Sequence, residues 1–184
     1  EDGIRDLDSC LVGSEMCIRD SGNRDFMIGE RFAEETGVTL LSDPHHVELY
    51  GEKVLLSHGD YLCTDDVEYQ KVRAMTRNPE WQAMMMSKSL EERIAFARQA
   101  REDSQAHSAS MTEEIADVND DAVDEAIREH GVEILLQVHT HRPAVHPFHV
   151  DERPVHRIVL GDWYEQGSMV EWDEDGPRLE VLAR

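Results

Sequence analysis

Three short stretches carry side chains able to hold a metal ion. His139 and His141 stand one residue apart in "HTHRP", at the end of the apolar run Ile134–Val138. His58 sits in "SHGD" at the end of a second apolar run, "KVLL", where Gly59 lets the backbone approach closely. Asn23, in "GNRDF", offers an amide oxygen just before an expected helix start. In a strand, residues i and i+2 face the same side. His139 and His141 are therefore expected to project together from a strand end, where open α/β sheets gather their ligand sites. Two imidazoles there can each bind a metal, or one of a closely spaced pair. Each stretch alone is weak, because ten histidines make a chance H-x-H easy. The three together, in this order at element ends, are far more specific.

The surrounding pattern supplies elements to position them. "DFMIGERFAEETG" predicts a helix stopped by Gly37. "HHVELY" and "KVLLSHGD" predict two short strands around Gly51. A helical stretch begins near Thr64 and is interrupted at Pro79. Ser89 with Glu92 forms an S-x-x-E capping box for a long helix to about Ala106. Asn119 caps "DDAVDEAIREH", which Gly131 ends. "EILLQV" reads as a buried strand, and "HRIVLGDW", "SMVEWD" and "RLEVLA" as later strands. Strands at both ends with helices between predict an α/β layered domain with a helical insertion over about 64–118. Residues 1–21, with two of the three cysteines and no periodicity, read as foreign to the domain that occupies 22–184.

At 184 residues the chain has room for one domain with a real core. Its net charge of −22 excludes nucleic acid as the main partner, since phosphate binding needs a basic surface. Three lysines against a large acidic excess fit a high-salt habitat, where self-repulsion is screened, or an ordinary solvated acidic surface. No apolar run approaches the roughly 18 residues that span a bilayer, and no basic-then-apolar leader opens the chain. Three cysteines give no disulfide framework, so a reducing cytoplasm is the expected setting.

"GN-R-D", then "HGD", then "H-T-H" resembles the second half of the calcineurin-like metallophosphoesterase signature. "GNRDFMIGERFAEETGVTLL", "SHGDYLCTDD", "DVN", "HTHRPAVH" and "VLGDWYEQGSMV" narrow the resemblance to the UDP-2,3-diacylglucosamine pyrophosphohydrolases of lipid A synthesis. The resemblance runs from Gly22 to the C-terminus. It implies layered sheets flanked by helices, a helical cap, and two Mn²⁺ ions roughly 3.5–4 Å apart. One ion would take Asn23, His58 and His139, and the other His141. Water activated there would split the pyrophosphate of UDP-2,3-diacylglucosamine into UMP and 2,3-diacylglucosamine 1-phosphate. Arg24 matches a phosphate-facing arginine, completing a catalytic set with Asn23 and His139. Asp66, Tyr69, Arg101 and Ser104 match positions lining the substrate pocket, alongside Asn23, Arg24 and His139. Met84, Met85, Met86, Ile94 and Phe96 match a cap facing acyl chains, although core packing is an equal reading for each. Such a cap implies peripheral contact with the cytoplasmic face of the inner membrane.

The chain also departs from that pattern. The family opens with a strand ending in Asp-x-His, and a later Gly-Asp supplies a carboxylate bridging the metals. Neither precedes Gly22, and Asp8 in "RDLDS" stands where a histidine should be. The expectation is an N-terminally truncated enzyme, inactive or nearly so, that holds at most one ion well. Val138 replaces a usual glycine, which would crowd the metal site, and Met111 replaces a lysine near the substrate. Two alternatives remain open: a metallophosphoesterase acting on another nucleotide diphosphate or phosphodiester, and a non-catalytic domain that binds one metal or a nucleotide.

Overall fold

The computed structural model describes residues 18–19, 22–23, 25–110, 112, 115–162 and 167–182. The chain divides into two compact units, Glu1–Asp60 with Val123–Arg184, and Tyr61–Ala122.

The first unit is built on strands. β1 (Ile18–Arg19) pairs in parallel with β2 (Thr39–Leu40). Pairing two residues through backbone groups needs no side-chain periodicity, which is why pattern did not show it. Between them, α1 (Glu30–Thr36) ends at Gly37 in the left-handed region, as its position predicts. The helix starts five residues later than "DFMIG" suggested, because Asp25, Phe26 and Met27 form a turn. β3 (His45–Leu49) and β4 (Glu52–Leu56) make an antiparallel hairpin. Its two-residue loop, Tyr50 and Gly51, has φ of 50° and 85°, the positive values that match the twist of paired strands.

α5 (Asp120–His130) leads into β5 (Ile134–Gln137), followed by β6 (Ala144–Val150), β7 (Arg153–Val159), β8 (Gly167–Asp173) and β9 (Gly176–Leu182). The main sheet has the order β3-β4-β5-β7-β6, and β8 with β9 forms a separate hairpin. β4, β5 and β7 run parallel in the middle, while β3 and β6 are antiparallel edges. This is a mixed α/β sheet. β6 is an addition to the expected strands: Pro147 reads as a breaker, yet an edge strand tolerates a residue without an N–H. Val54, Ile134 and Ile158 centre the core, with Val47, Leu49, Leu56, Leu136, Val170 and Trp172 packed against them. α5 buries Val123, Ala126 and Ile127, a stripe at i, i+3 and i+4.

The second unit is helical. α2 (Val67–Thr76) is capped by Asp66, whose Oδ1 accepts the Tyr69 N–H at 3.0 Å. α3 (Pro79–Met86) is capped by Asn78, which accepts from Glu80 and Trp81, with Pro79 at its first position. α4 (Leu90–Ser110) begins with the predicted capping box. Glu92 N–H donates to Ser89 Oγ at 3.2 Å, and Ser89 N–H donates to Glu92 Oε2 at 2.9 Å. Leu62, Cys63, Met85 and Val118 are buried. Met85 packs inside, the core-packing one of its two expected readings, while Met84 and Met86 on either side stay exposed. Helical geometry turns successive residues by about 100°, so three methionines in a row cannot share one face.

Candidate functional site

The site follows from strand register. Leu56 on β4 is level with Leu136 on β5, and the strands are parallel, so both C-terminal ends open at the same edge of the sheet. The ladder continues one step further, with Ser57 N–H donating to Leu136 O at 3.0 Å. His58 O then accepts two amides, from Val138 at 3.3 Å and His139 at 2.9 Å. This doubly bonded carbonyl brings the two imidazoles together: His139 Nδ1 lies 3.1 Å from His58 Nε2, with rings nearly edge-on at 72°. β7 delivers its end alongside, since Leu160 N–H donates to Gln137 O at 2.9 Å.

The loop around His58 is held from below. Asp43 Oδ1 accepts the Ser57 hydroxyl at 2.6 Å and the His58 N–H at 3.2 Å, and Ser57 Oγ accepts the Gly59 N–H at 2.9 Å. Gly59 has φ +93° and would place a Cβ 2.6 Å from Gln137 Oε1. Only glycine fits, on both backbone and contact grounds. On the other side, a Cβ on Gly22 would lie 3.0 Å from His58 Cε1 and 3.1 Å from Nδ1, so the segment holding Asn23 reaches the ring.

His141 differs from expectation. β5 stops at Gln137, so His139 and His141 lie in a turn rather than on a strand. His141 has φ 54° and its N–H donates to Val138 O at 2.8 Å, which leaves it exposed at the rim. Val138 does not take a left-handed conformation, so its valine carries no backbone strain there. Arg24 and Met111 lie outside the described residues.

Two imidazole nitrogens suit a borderline divalent cation, and the Asn23 amide oxygen nominated by the sequence would add an oxygen donor. Nitrogens about 2.1 Å from one shared ion, at right angles, lie about 3 Å apart, close to the spacing of His58 and His139. Without a cation, the same 3.1 Å spacing serves as an N–H···N hydrogen bond. Gln137 is fully buried, yet neither its Oε1 nor its Nε2 has a hydrogen-bond partner, and Thr140 Oγ1 is likewise buried and unbonded. Such orphaned atoms are rare inside proteins. All three lie between residues 137 and 140, on the stretch that carries His139. Among the described residues, no group of three or more histidine, cysteine or acidic side chains is placed to hold a metal ion.

In the helical unit, Asp66 is buried and already engaged. Besides capping α2, its carboxylate oxygens lie 2.9 and 3.0 Å from His107 Nε2. Arg101 and Ser104 are exposed on α4, and with His107 they fall at i, i+3 and i+6 along one side of the helix. His107 was not legible beforehand, and its only sequence signal is that spacing. Asp43, Ser57 and Gln137 were missed for the same reason: each acts through a contact distant in sequence.

Comparison with known proteins decides the family. The UDP-2,3-diacylglucosamine hydrolase of Stenotrophomonas maltophilia (strain K279a) is 49% identical over 170 residues, covering 89% of this chain and 68% of that protein. The chain belongs to the UDP-2,3-diacylglucosamine hydrolase family. Proteins of the same name from Xanthomonas axonopodis pv. citri (strain 306) and Aeromonas salmonicida (strain A449) are 46% and 47% identical. They are covered over 69% and 63% of their lengths, against 89% and 86% of this chain. A solved archaeal phosphodiesterase aligns at a TM-score of 0.45 and 16% identity over 97% of this chain and 74% of its own, too weak a likeness to carry a shared fold. No protein-family profile matches the chain. Members of this hydrolase family are enzymes by name, and the paired histidines lie in the region this chain shares with them. Among the described residues, no helix is long and apolar enough to cross a membrane.

Proposed function

We propose that this chain carries the strand-end histidines of a metal-dependent hydrolase that cleaves the pyrophosphate of UDP-2,3-diacylglucosamine. The products are UMP and 2,3-diacylglucosamine 1-phosphate, a step of lipid A synthesis. The observation that carries this reading is the His58–His139 pair at 3.1 Å, held by one bifurcated carbonyl in a chain 49% identical to a hydrolase of that name.

In this reading His58 and His139 hold a divalent cation, Mn²⁺ in our proposal, with the Asn23 amide oxygen as third donor. His141, at the exposed rim, would hold a second ion. A metal bound there lowers the pKa of water and neutralises charge on phosphate oxygens. The chain's own groups do the positioning. Asp43 and Ser57 fix the loop that aims His58, and Gly59 lets that loop lie against Gln137. Arg24, next to Asn23, binds a phosphate oxygen through its guanidinium. Cleavage adds water across one P–O–P bridge, leaving a phosphate monoester on each side.

We further assign the helical segment over about 64–118 as the cap. Arg101 and Ser104 bind polar parts of the substrate, and Tyr69 and Asp66 shape the pocket wall, with Asp66 acting through His107. Met84, Met86, Leu90, Ile94 and Phe96 are exposed apolar side chains that fit acyl chains. The same surface is the basis for peripheral contact with the cytoplasmic face of the inner membrane.

The test is UMP release from UDP-2,3-diacylglucosamine with Mn²⁺. It is run on this chain and on one extended with the part of the Stenotrophomonas maltophilia relative that lies outside the match. Supporting structure around a metal ligand is worth 10–100-fold, so His139→Ala is expected to lower the rate by about a hundredfold or more in whichever protein is active. Activity that survives His139→Ala, or no UMP from either protein, overturns the reading.

A further inference from the structure

A second pair of histidines lies away from the strand-end pair. His46 Nε2 is 2.9 Å from His130 Nδ1, with ring centroids 4.9 Å apart and planes at 54°. His46 is exposed on the edge strand β3, and His130 is the last residue of α5, 84 positions along the chain. His46 is level with Leu55 on β4, three residues short of His58, which places the two pairs about 10 Å apart along the strand direction.

We propose that His46 and His130 form a surface site for a transition-metal dication of the Zn²⁺, Ni²⁺ or Cu²⁺ class. His46 Nε2 and His130 Nδ1 face each other at 2.9 Å, and imidazole is a preferred ligand for these ions. Three features favour a cation there. His130 closes a helix, where unpaired carbonyls concentrate negative partial charge. The chain carries a formal charge of −22. The partners come from a strand and a helix, so their separation is set by the fold rather than by one flexible loop. In the metal-free pair, one ring donates its N–H to the other. Binding moves that proton to the donor ring's other nitrogen, so both facing nitrogens present lone pairs, and water fills the remaining positions. The ion would staple the sheet edge to the end of α5. Its preference follows the imidazole order, with Cu²⁺, Ni²⁺ and Zn²⁺ ahead of Mn²⁺; the strand-end imidazoles share that order, so variants at each pair separate the two sites.

The experiment uses the full chain, titrated calorimetrically with Zn²⁺ and examined with Cu²⁺ by electron paramagnetic resonance. The parent is compared with His46→Asn, His130→Asn, and a His58→Asn/His139→Asn double variant. We expect each of the first two to lose one equivalent of Zn²⁺, or to bind it at least tenfold more weakly. We also expect the His58→Asn/His139→Asn double variant to retain a Cu²⁺ signal from two imidazole nitrogens, which adding His46→Asn or His130→Asn to it abolishes. Far-UV circular dichroism confirms that the two surface variants stay folded. Unchanged binding in either His46→Asn or His130→Asn overturns the site and leaves the pair as a hydrogen bond only. Loss of the signal in the double variant alone overturns it too, by assigning the ion to the strand ends.

Discussion

Helices α4 and α5 begin alike and are held in place differently. Each starts on a side-chain cap that the sequence announces: Ser89 with Glu92 for one, Asn119 accepting the Ala122 N–H at 3.1 Å for the other. α5 then buries Val123, Ala126 and Ile127. Burying a side chain such as Ile127 contributes about 1.5–3 kcal/mol. α4 is nearly twice as long, 21 residues against 11, yet none of its described side chains is buried. Leu90, Ile94 and Phe96 stand 60%, 41% and 39% exposed. Caps decide where a helix starts. Only a buried stripe decides how firmly it is kept. In our reading, the strand unit spends its apolar side chains on its own core, and α4 keeps its own for a lipid.

The contrast can be broken most forcefully in the core. Leu135 is fully buried, so Leu135→Ala is expected to cost about 2–5 kcal/mol. Ile94→Ala in α4 should change stability by no more than about 0.5 kcal/mol, while weakening binding to vesicles or to the diacylated substrate. Urea unfolding of both variants checks the first half; equal losses would refute the contrast. Next comes Gly59→Ala. A left-handed non-glycine residue costs about 1–3 kcal/mol, and the new methyl meets Gln137, so the expected result is lower stability together with a disturbed His58–His139 spacing, read as weaker Mn²⁺ binding. A smaller effect is expected at the caps. Asn119→Ala should lower global stability by about 1 kcal/mol. Ser89→Ala should instead speed amide exchange in the first turn of α4 while leaving core protection unchanged.

The smallest effect is electrostatic. The hydrogen bond from the Ser89 backbone, then the Ser89 hydroxyl and nearby Lys88, hold the Glu92 carboxyl below its ordinary value. The charged form is thus favoured in the fold. Its contribution to α4 is complete above the unfolded carboxyl value, about 4.3, and is lost as pH falls through the lower folded value. Far-UV circular dichroism from pH 6 downward should show α4 loosening in that acidic window, with Glu92→Gln flattening the dependence.

Features that act over a few residues were legible in the sequence. The caps at Asn119 and Ser89, the stops at Gly37 and Gly131, and the hairpin at Tyr50–Gly51 all depend on local backbone chemistry, and each stands where the pattern put it. The apolar runs that bring His58 and His139 to strand ends were equally readable. What pattern did not show is what distant residues do to one another. β6 hides behind Pro147, whose tolerance depends on an edge position. Met85 turns inward between two exposed neighbours. His107 meets Asp66 across 41 residues, and Asp43 meets Ser57 across 14, through contacts that no spacing rule encodes. His141 shows the limit most clearly, since strand alternation places it beside His139, while the turn that ends β5 sends it to the rim.

The bifurcated carbonyl of His58 has one more implication. Because main-chain bonds from Val138 and His139 set the distance between the two loops, the positions at 58 and 139 behave like a socket whose spacing does not depend on what is plugged into it. A cysteine or an aspartate at either place would arrive at nearly the same point. For the ion proposed at this pair, exchanging a single side chain would retune the preference and leave the frame that presents it untouched.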